Sequence, residues 1–452
     1  MNPRLFLNRQ YLFEPVDNSP LVVFRMIFGF LIMAEAWGAI LTGWVHETFI
    51  LPEFTFNFIG FEFLQPLPGF GMYYYFGLMG FFGLLVMLGW YYRLAVSMYF
   101  LMWSGVYLMQ KSHYNNHYYL LMLLLGIMIF LPAHRYASLD VWRRPARKSL
   151  SCARGIYVFL VVHIWIVYTY AATSKIYLDW LLAKPIKIWF GAKQDYWLIG
   201  GMLQQEWVHY LVAYTGIFYD LLVIPALLWR KTRLLALFFS LVFHLSNSII
   251  FQIGIFPYLA LSFALFIFPP DKVRQFFFRR KPPLEMNPAL VQKPSPYQKF
   301  TLYAGLVYLF IQFLLPLRYH LYPGNVHWTE EGHRLSWKMM LRSKTGQIRF
   351  RVLNRPTKEI RIIEPHQYVS PLQARRIATH PDFVWQFVQC LKAILAREGW
   401  KDIEIYAESV CSLNGSPNYP LIKPDYDLAR AEWSAFKASD WIAPFPESAS
   451  FW

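Results

Sequence analysis

VVHIWIVYTYAATSKIYLDW, residues Val161–Trp180, is an apolar helix of membrane length that closes on a lysine. An ammonium at or just inside the edge of a bilayer is costly, so it is usually kept for pairing or for chemistry. Lys175 is therefore the first candidate for function. Snorkelling to the interface is the competing reading for a lysine at a helix end, and the residues at the same depth have to decide between the two.

The 452-residue chain is 56% hydrophobic and 19% aromatic with only 15% charged residues, too apolar for a soluble protein of this size. Its net charge of +16 does not indicate nucleic acid, because the basic residues lie mostly between apolar runs, where they set topology. Nucleic acid is excluded as a partner and the lipid bilayer takes its place. The N-terminus MNPRLFLNRQYLFEPVDNSP is polar and basic, and the apolar run after it is too long for a cleavable signal. Of the cysteines, Cys152 lies in a basic connection, while Cys390 and Cys411 could pair in an oxidising compartment, which the sequence leaves open. With no CxxC and no zinc spacing, no metal site is expected.

Apolar runs of spanning length fall at 20–41, 70–91, 93–110, 117–133, 154–174, 207–229, 232–250, 251–269 and 300–316, which predicts about nine transmembrane helices. Arg4, Arg9, Arg93, the group Arg135 to Lys148, Arg230 to Arg233 and Lys272 to Lys299 then share one side. The connection 42–69 carries Glu47, Glu53 and Glu62 and no lysine or arginine, and the exceptions are Lys111 and the segment 175–206. This asymmetry places the basic side in the cytoplasm and residues 317–452 outside. The proline-rich stretch 271–299 reads as a cytoplasmic linker. Beyond Pro316 the charge rises, strands are predicted at 347–353 and 359–363, and a helix at about 381–398. The expected architecture is thus a polytopic α-helical membrane domain over 1–316 that holds the active site, followed by an extracytoplasmic α+β domain over 317–452.

Two polar clusters share the outer level of Lys175. KSHYNNHYYL, residues 111–120, brings His113, Asn115, Asn116 and His117 together, and FHLSNSIIFQIGIF, residues 243–256, sets His244 and Asn247 on one helical face. A lysine in a low-dielectric pocket can serve as a base near neutral pH, and a neighbouring histidine or asparagine can stabilise an oxyanion. Tyr114, Tyr118, Trp165, Tyr168 and Tyr170 supply aromatic walls for a flat, lipid-soluble ring, which points to a quinone-like cofactor. Plainer readings stand beside these. His163 and His209 read as core histidines satisfied by a neighbour, and Asn115 and Asn116 as caps of the following span. A bis-histidine heme site drawn from His113, His117, His163 and His244 has no CxxCH to support it.

VFRMIFGFLI at 23–32, YNNHYYL at 114–120, YAATSKIYLDW at 170–180, FHLSNSIIFQIGIFPY at 243–258, LSWKMMLRSK at 335–344 and DLARAEWSAFKASDWIAPF at 427–445 together resemble the vitamin K-dependent gamma-glutamyl carboxylase family. The resemblance implies that Lys175 acts as the base that ionises vitamin K hydroquinone, a reduced menaquinone or phylloquinone. It further implies that reaction with O2 gives a strongly basic alkoxide, which takes the γ-proton of a substrate glutamate so that CO2 adds, leaving γ-carboxyglutamate and vitamin K epoxide. His117 matches the family histidine that assists by hydrogen bonding. Tyr114, Asn115, Asn116, Tyr168, His244 and Asn247 are then the expected cofactor-binding set. Trp328, His333, Ser336, Trp337, Arg342 and Lys344 fall in the region that grips glutamate, and they offer aromatic walls and cationic donors suited to a carboxylate.

Departures from the family pattern matter. The vertebrate enzyme continues into a domain that helps to bind a propeptide, and this chain stops near its start, so recruitment of a glutamate-containing protein or peptide is expected to differ. Arg342 and Lys344 stand where the vertebrate enzyme has histidine and arginine. Cys390 matches a cysteine that is disulfide-bonded to the first outer loop, and here that loop has none. The expected setting is a bacterial inner membrane with the C-terminal part in the periplasm, or the endoplasmic reticulum lumen in a eukaryote, with a quinone epoxide reductase as a further partner. A quinol epoxidase without carboxylation, a transporter, and a quinone or heme electron carrier are the competing functions.

Overall fold

The computed structural model describes residues 9–284 and 295–446. Helices form in every predicted apolar run: α1 (Ser19–Leu41), α2 (Gly71–Leu88), α3 (Tyr92–Met109), α4 (Asn116–Phe130), α5 (Arg154–Thr173), α6 (Glu206–Leu228), α7 (Arg233–Phe251), α8 (Phe256–Ser262) and α9 (Pro296–Leu314). Six segments among the described residues are long and apolar enough to cross a membrane, namely α1, α2, α5, α6, α7 and Gln298–Leu321. The apolar helices α4 and Phe256–Phe266 are shorter, and α3 carries Arg93, Ser97 and Ser104, which lower its hydropathy. The chain is a polytopic α-helical membrane protein. Its lipid-facing surface is apolar, with Leu234, Phe238, Phe239, Leu241 and Val242 of α7 all exposed.

Close helix contact rests on small residues. A Cβ placed on Gly29 of α1 would fall 2.2 Å from the backbone nitrogen of Met87 in α2, so the two helices meet backbone to backbone there. Around this pair lies the first core, which includes Phe24, Phe28, Met79, Tyr99, Trp103 and Leu124.

The stretch expected as a plain linker is partly built into the fold. Pro270–Phe277 is helical, and the buried Lys281 donates to Asp17 Oδ1 at 2.7 Å and Asn18 Oδ1 at 2.6 Å. It thereby pins the short strand β1 (Pro15–Asp17), which pairs with β2 (Ser151–Ala153). A lysine with carboxylate and amide acceptors can be buried, which basic composition alone does not reveal. Residues 285–294 of that stretch, and Arg4, lie outside the described residues.

The C-terminal part holds a three-stranded antiparallel sheet in the order β4 (Ile360–Ile363), β3 (Lys344–Asn354), β5 (Ile403–Leu413). Phe350 of the central strand faces Ile363 on one side and Ala407 on the other. Alternate residues of β5 (Ile405, Ala407, Ser409, Cys411) are buried, as in a sheet with one covered face. The cover is α10 (Pro371–Thr379), opened by a Ser370–Gln373 capping box, and α11 (Pro381–Arg397), whose Phe383, Phe387 and Leu391 join a second core. The predicted strands and helix are present, and β5 is added to them. Phe56, from the first inter-helix connection, enters this second core, and Gln386 donates to Asn57 O at 3.0 Å. All three cysteines are free, with Cys390 on α11 and Cys411 on β5.

Candidate functional site

Lys175 lies just beyond the end of α5, with its side chain turned back into the protein and buried. Its Nζ donates to Ala171 O at 3.1 Å and to Asp220 Oδ2 at 2.5 Å, Asp220 being a buried residue of α6. The lysine therefore pairs inside the protein and does not snorkel. Trp180 closes over the ammonium with its ring 5.7 Å away and is fixed by its own hydrogen bond to Ala213 O at 3.0 Å.

This pair opens into an inner cavity of about 120 Å³. Tyr168, His244 and Asn247 line it with Lys175 and Asp220, and the rest of the wall is mostly apolar, including Phe243 and Phe256. His244 Nε2 lies 3.0 Å from both Tyr168 Oη and Tyr219 Oη, while its Nδ1 is buried without a partner. An unpaired buried polar atom on a residue that lines the cavity marks a candidate contact for a ligand. The His117 ring stacks on Phe256 at 3.9 Å between centroids, and no protein atom among the described residues hydrogen-bonds its nitrogens. Phe256 is held in turn by the loop before it, which bends at Gln252 and Gly254, both at positive φ. The Glu35 carboxylate of α1 lies against that loop, 3.4 Å from where a Cβ on Gly254 would stand.

An outer cavity of about 450 Å³ adjoins the first, and His117, Trp189, Met339 and Met340 line both. Tyr114, Asn115 and Asn116 lie here and not on the inner cavity. Asn115 caps α4 by accepting from Tyr118 N–H at 2.8 Å. Asn116 donates to Lys338 O at 3.0 Å, and Tyr114 Oη accepts from Leu335 N–H at 3.0 Å. Both side chains thus hold the loop 335–344 against the start of α4. Leu335, Trp337 and Met340 have φ of 64, 56 and 46°, a left-handed backbone in residues that disfavour it. Such strain persists only where surrounding contacts fix it, and it concentrates at functional sites.

Cations dominate the outer cavity, and two carboxylates answer some of them. Asp382 binds Arg334 at 2.7 Å and Lys111 at 2.5 Å. Burial alone raises its pKa, but Arg334 and Lys111 outweigh this and hold the carboxyl well below its usual range. Glu330 is gripped by Arg342 in a two-pronged pair, by Lys344 at 3.3 Å and by His333 at 3.1 Å. Here too burial raises the pKa, and Arg342, His333 and Lys344 together bring it well below the ordinary value.

His333, Arg342 and Lys344 of the predicted glutamate-binding set therefore line the outer cavity but already hold an internal glutamate. Trp328, Ser336 and Trp337 line neither cavity. Trp328 is fully buried in the second core and donates to Ala443 O, Ser336 donates to His333 O, and Trp337 packs on Tyr119 at 4.9 Å. Of the histidines read as core residues, His163 meets Tyr308 Oη at 3.3 Å and His209 meets Leu203 O at 2.8 Å. Sequence reasoning passed over Asp220, Glu35, Glu330 and Asp382. The signal was present for the first two, since an acid inside an apolar span calls for a partner.

Fold and site define an integral membrane protein in which a lysine–aspartate pair faces an apolar cavity, with a cation-rich chamber beside it. Residues 13–271 match the HTTM domain, and residues 297–448 match the vitamin K-dependent gamma-carboxylase, lumenal domain. The chain belongs to the vitamin K-dependent gamma-glutamyl carboxylase family. No solved structure matches it.

Proposed function

We propose that this enzyme of the vitamin K-dependent carboxylase type oxygenates vitamin K hydroquinone and couples that step to carboxylation of glutamate in a protein or peptide. One observation carries the reading: the apolar cavity holding Lys175 and the cationic cavity share His117, Trp189, Met339 and Met340 as a common wall. A lipid-soluble ring and a peptide side chain can therefore meet across a single layer of residues.

The inner cavity suits the ring by its aromatic walls and by His244 among them, whose Nδ1 has no partner among the described residues. Reduced vitamin K with O2 supplies a base strong enough for a glutamate γ-proton, which no side chain can remove unaided. Lys175 Nζ would pass its own proton to Asp220, 2.5 Å away, and so be free to accept the hydroxyl proton of a bound ring. His117 is free to hydrogen-bond at the junction of the cavities. Tyr168, His244 and Asn247 orient the ring, and the apolar walls keep water from the reacting atoms. The outer chamber receives the glutamate and CO2, with Tyr114, Asn115 and Asn116 holding its strained loop.

Residues 1–316 act as the transmembrane catalytic domain with nine spans, and 317–452 as the extracytoplasmic domain that presents substrate. A bacterial inner membrane with that domain in the periplasm fits the basic-residue asymmetry, and a quinone epoxide reductase would regenerate the quinol. A second reading, quinol epoxidation without carboxylation, is favoured by Glu330, which fills the cations best placed to grip a substrate carboxylate.

The test is an incubation of detergent-purified protein with vitamin K hydroquinone, oxygen, labelled bicarbonate and a glutamate peptide. Epoxide and fixed label that both vanish in Lys175→Ala support carboxylation. Epoxide without label supports the second reading, and neither product refutes both.

A further inference from the structure

The charges of the outer chamber do not balance. Lys111 and Arg334 are matched by Asp382, and Arg342 and Lys344 by Glu330, whereas Lys338, Arg375 and Arg376 line the same cavity with no carboxylate partner among the described residues. Arg375 is exposed and Arg376 is half-buried, but Lys338 is only 6% exposed. Its ammonium has no hydrogen-bond acceptor among the described residues and rests on the Tyr319 ring, 3.7 Å from the centroid. A buried ammonium with only a ring for company is an incomplete site.

Its position is also built. Asn116, the residue before His117, fixes the Lys338 backbone through a 3.0 Å hydrogen bond, and the next two residues, Met339 and Met340, form part of the wall between the cavities. Arg376 spends Nε on Ser112 O at 3.2 Å and Nη1 on His380 at 3.5 Å, so that Nη2 remains for another acceptor.

Resting on the carboxylase reading above, we propose that Lys338, backed by Arg376, is the carboxylate-binding residue of the outer chamber and holds the side chain of the substrate glutamate. Arg342 and Lys344 serve instead as the counter-ions of Glu330. The dicarboxylate product carries one more negative charge than the substrate, and a chamber with surplus cations accommodates it. Burial, with Arg342 nearby, lowers the Lys338 pKa to about 8, as expected for an ammonium that lacks its anion.

The experiment is titration of the full-length protein in detergent with a short glutamate peptide and with its glutamine counterpart, for wild type, Lys338→Met and Lys338→Arg, alongside the peptide KM for label fixation. Wild type should prefer glutamate, Lys338→Met should lose about tenfold or more of that preference, and Lys338→Arg should keep most of it. Full preference in Lys338→Met overturns the proposal. So does a change confined to the bicarbonate requirement, which would make bicarbonate the anion held. Absence of any preference in wild type overturns the glutamate reading itself and is thereby distinguished from failure of Lys338 alone. Should Lys338→Met fail to unfold cooperatively, Lys338→Gln against Lys338→Arg makes the same comparison.

Discussion

Lys175 Nζ, just past the end of α5, and Asp220 Oδ2 of α6 meet at 2.5 Å, with both side chains buried. Removing one member of such a pair leaves an uncompensated charge, which costs about 3–5 kcal/mol. Removing a proton-transfer group costs about a hundredfold or more in rate. The expected outcome is that Lys175→Ala loses epoxidation and also lowers the unfolding temperature. The double variant Lys175→Met with Asp220→Asn should recover most of the stability and none of the activity. Epoxidation near the wild-type rate in either variant would remove Lys175 from the role of base.

Acid should act on the outer chamber through Asp382 and Glu330. Both carboxyls are held below their ordinary range in the folded protein, despite burial, by Arg334 with Lys111 and by Arg342 with His333 and Lys344. A depressed folded-state pKa means that their stabilisation is complete above the unfolded values, about pH 4, and is lost as the pH falls below them. The thermal unfolding temperature in detergent should therefore drop from about pH 5 downward and keep falling below about pH 3, and Asp382→Asn should be less stable near neutrality with the gap to wild type narrowing as the pH falls. Parallel curves for the two proteins across that window would show that Asp382 is not the source.

Much of this fold is written in local pattern. Apolar runs, the asymmetry of basic residues and the alternation in QIRFRVL locate the helices and β3. Lys175 stands out for the same reason, as a charge in an apolar run. Asp220 stands out equally, in GIFYDLLVI, but its partner is 45 residues away, and only the packing of α5 on α6 joins them. Glu330 and Asp382 carry no signal at all, because an acid in a polar stretch looks like solvated surface until its arginine is seen. Trp328 and Trp337 mislead in the opposite direction, since a large aromatic beside polar residues reads as a binding wall and here fills the core.

Gly29 tests the helix packing that carries the site. With the Met87 backbone nitrogen 2.2 Å from any added Cβ, Gly29→Ala must push α1 from α2. Overpacking of this kind costs about 1–3 kcal/mol. Because Glu35, on the same helix, packs against Gly254 in the loop before Phe256, the displacement should also loosen the inner cavity. The expected result is a lower unfolding temperature together with a raised KM for the hydroquinone. A Gly29→Ala protein as stable as wild type would contradict the close crossing.

Arg342 shows how the internal glutamate changes the meaning of a substitution. Arg342→Ala strips Glu330 of its two-pronged partner and leaves it to Lys344 and His333, inside a chamber whose loop is strained at Leu335, Trp337 and Met340. Breaking this buried pair should cost about 3 kcal/mol, and the loop it anchors shapes the glutamate side more than the quinol side. Peptide use should therefore fall further than hydroquinone oxidation. Arg342→Gln combined with Glu330→Gln and Lys344→Gln should recover most of the lost unfolding temperature, since all three charges leave together. If Arg342 instead binds substrate directly, the combined variant will be stable and still unable to use the peptide, whereas recovery of peptide use with recovery of stability identifies Arg342 as the partner of Glu330.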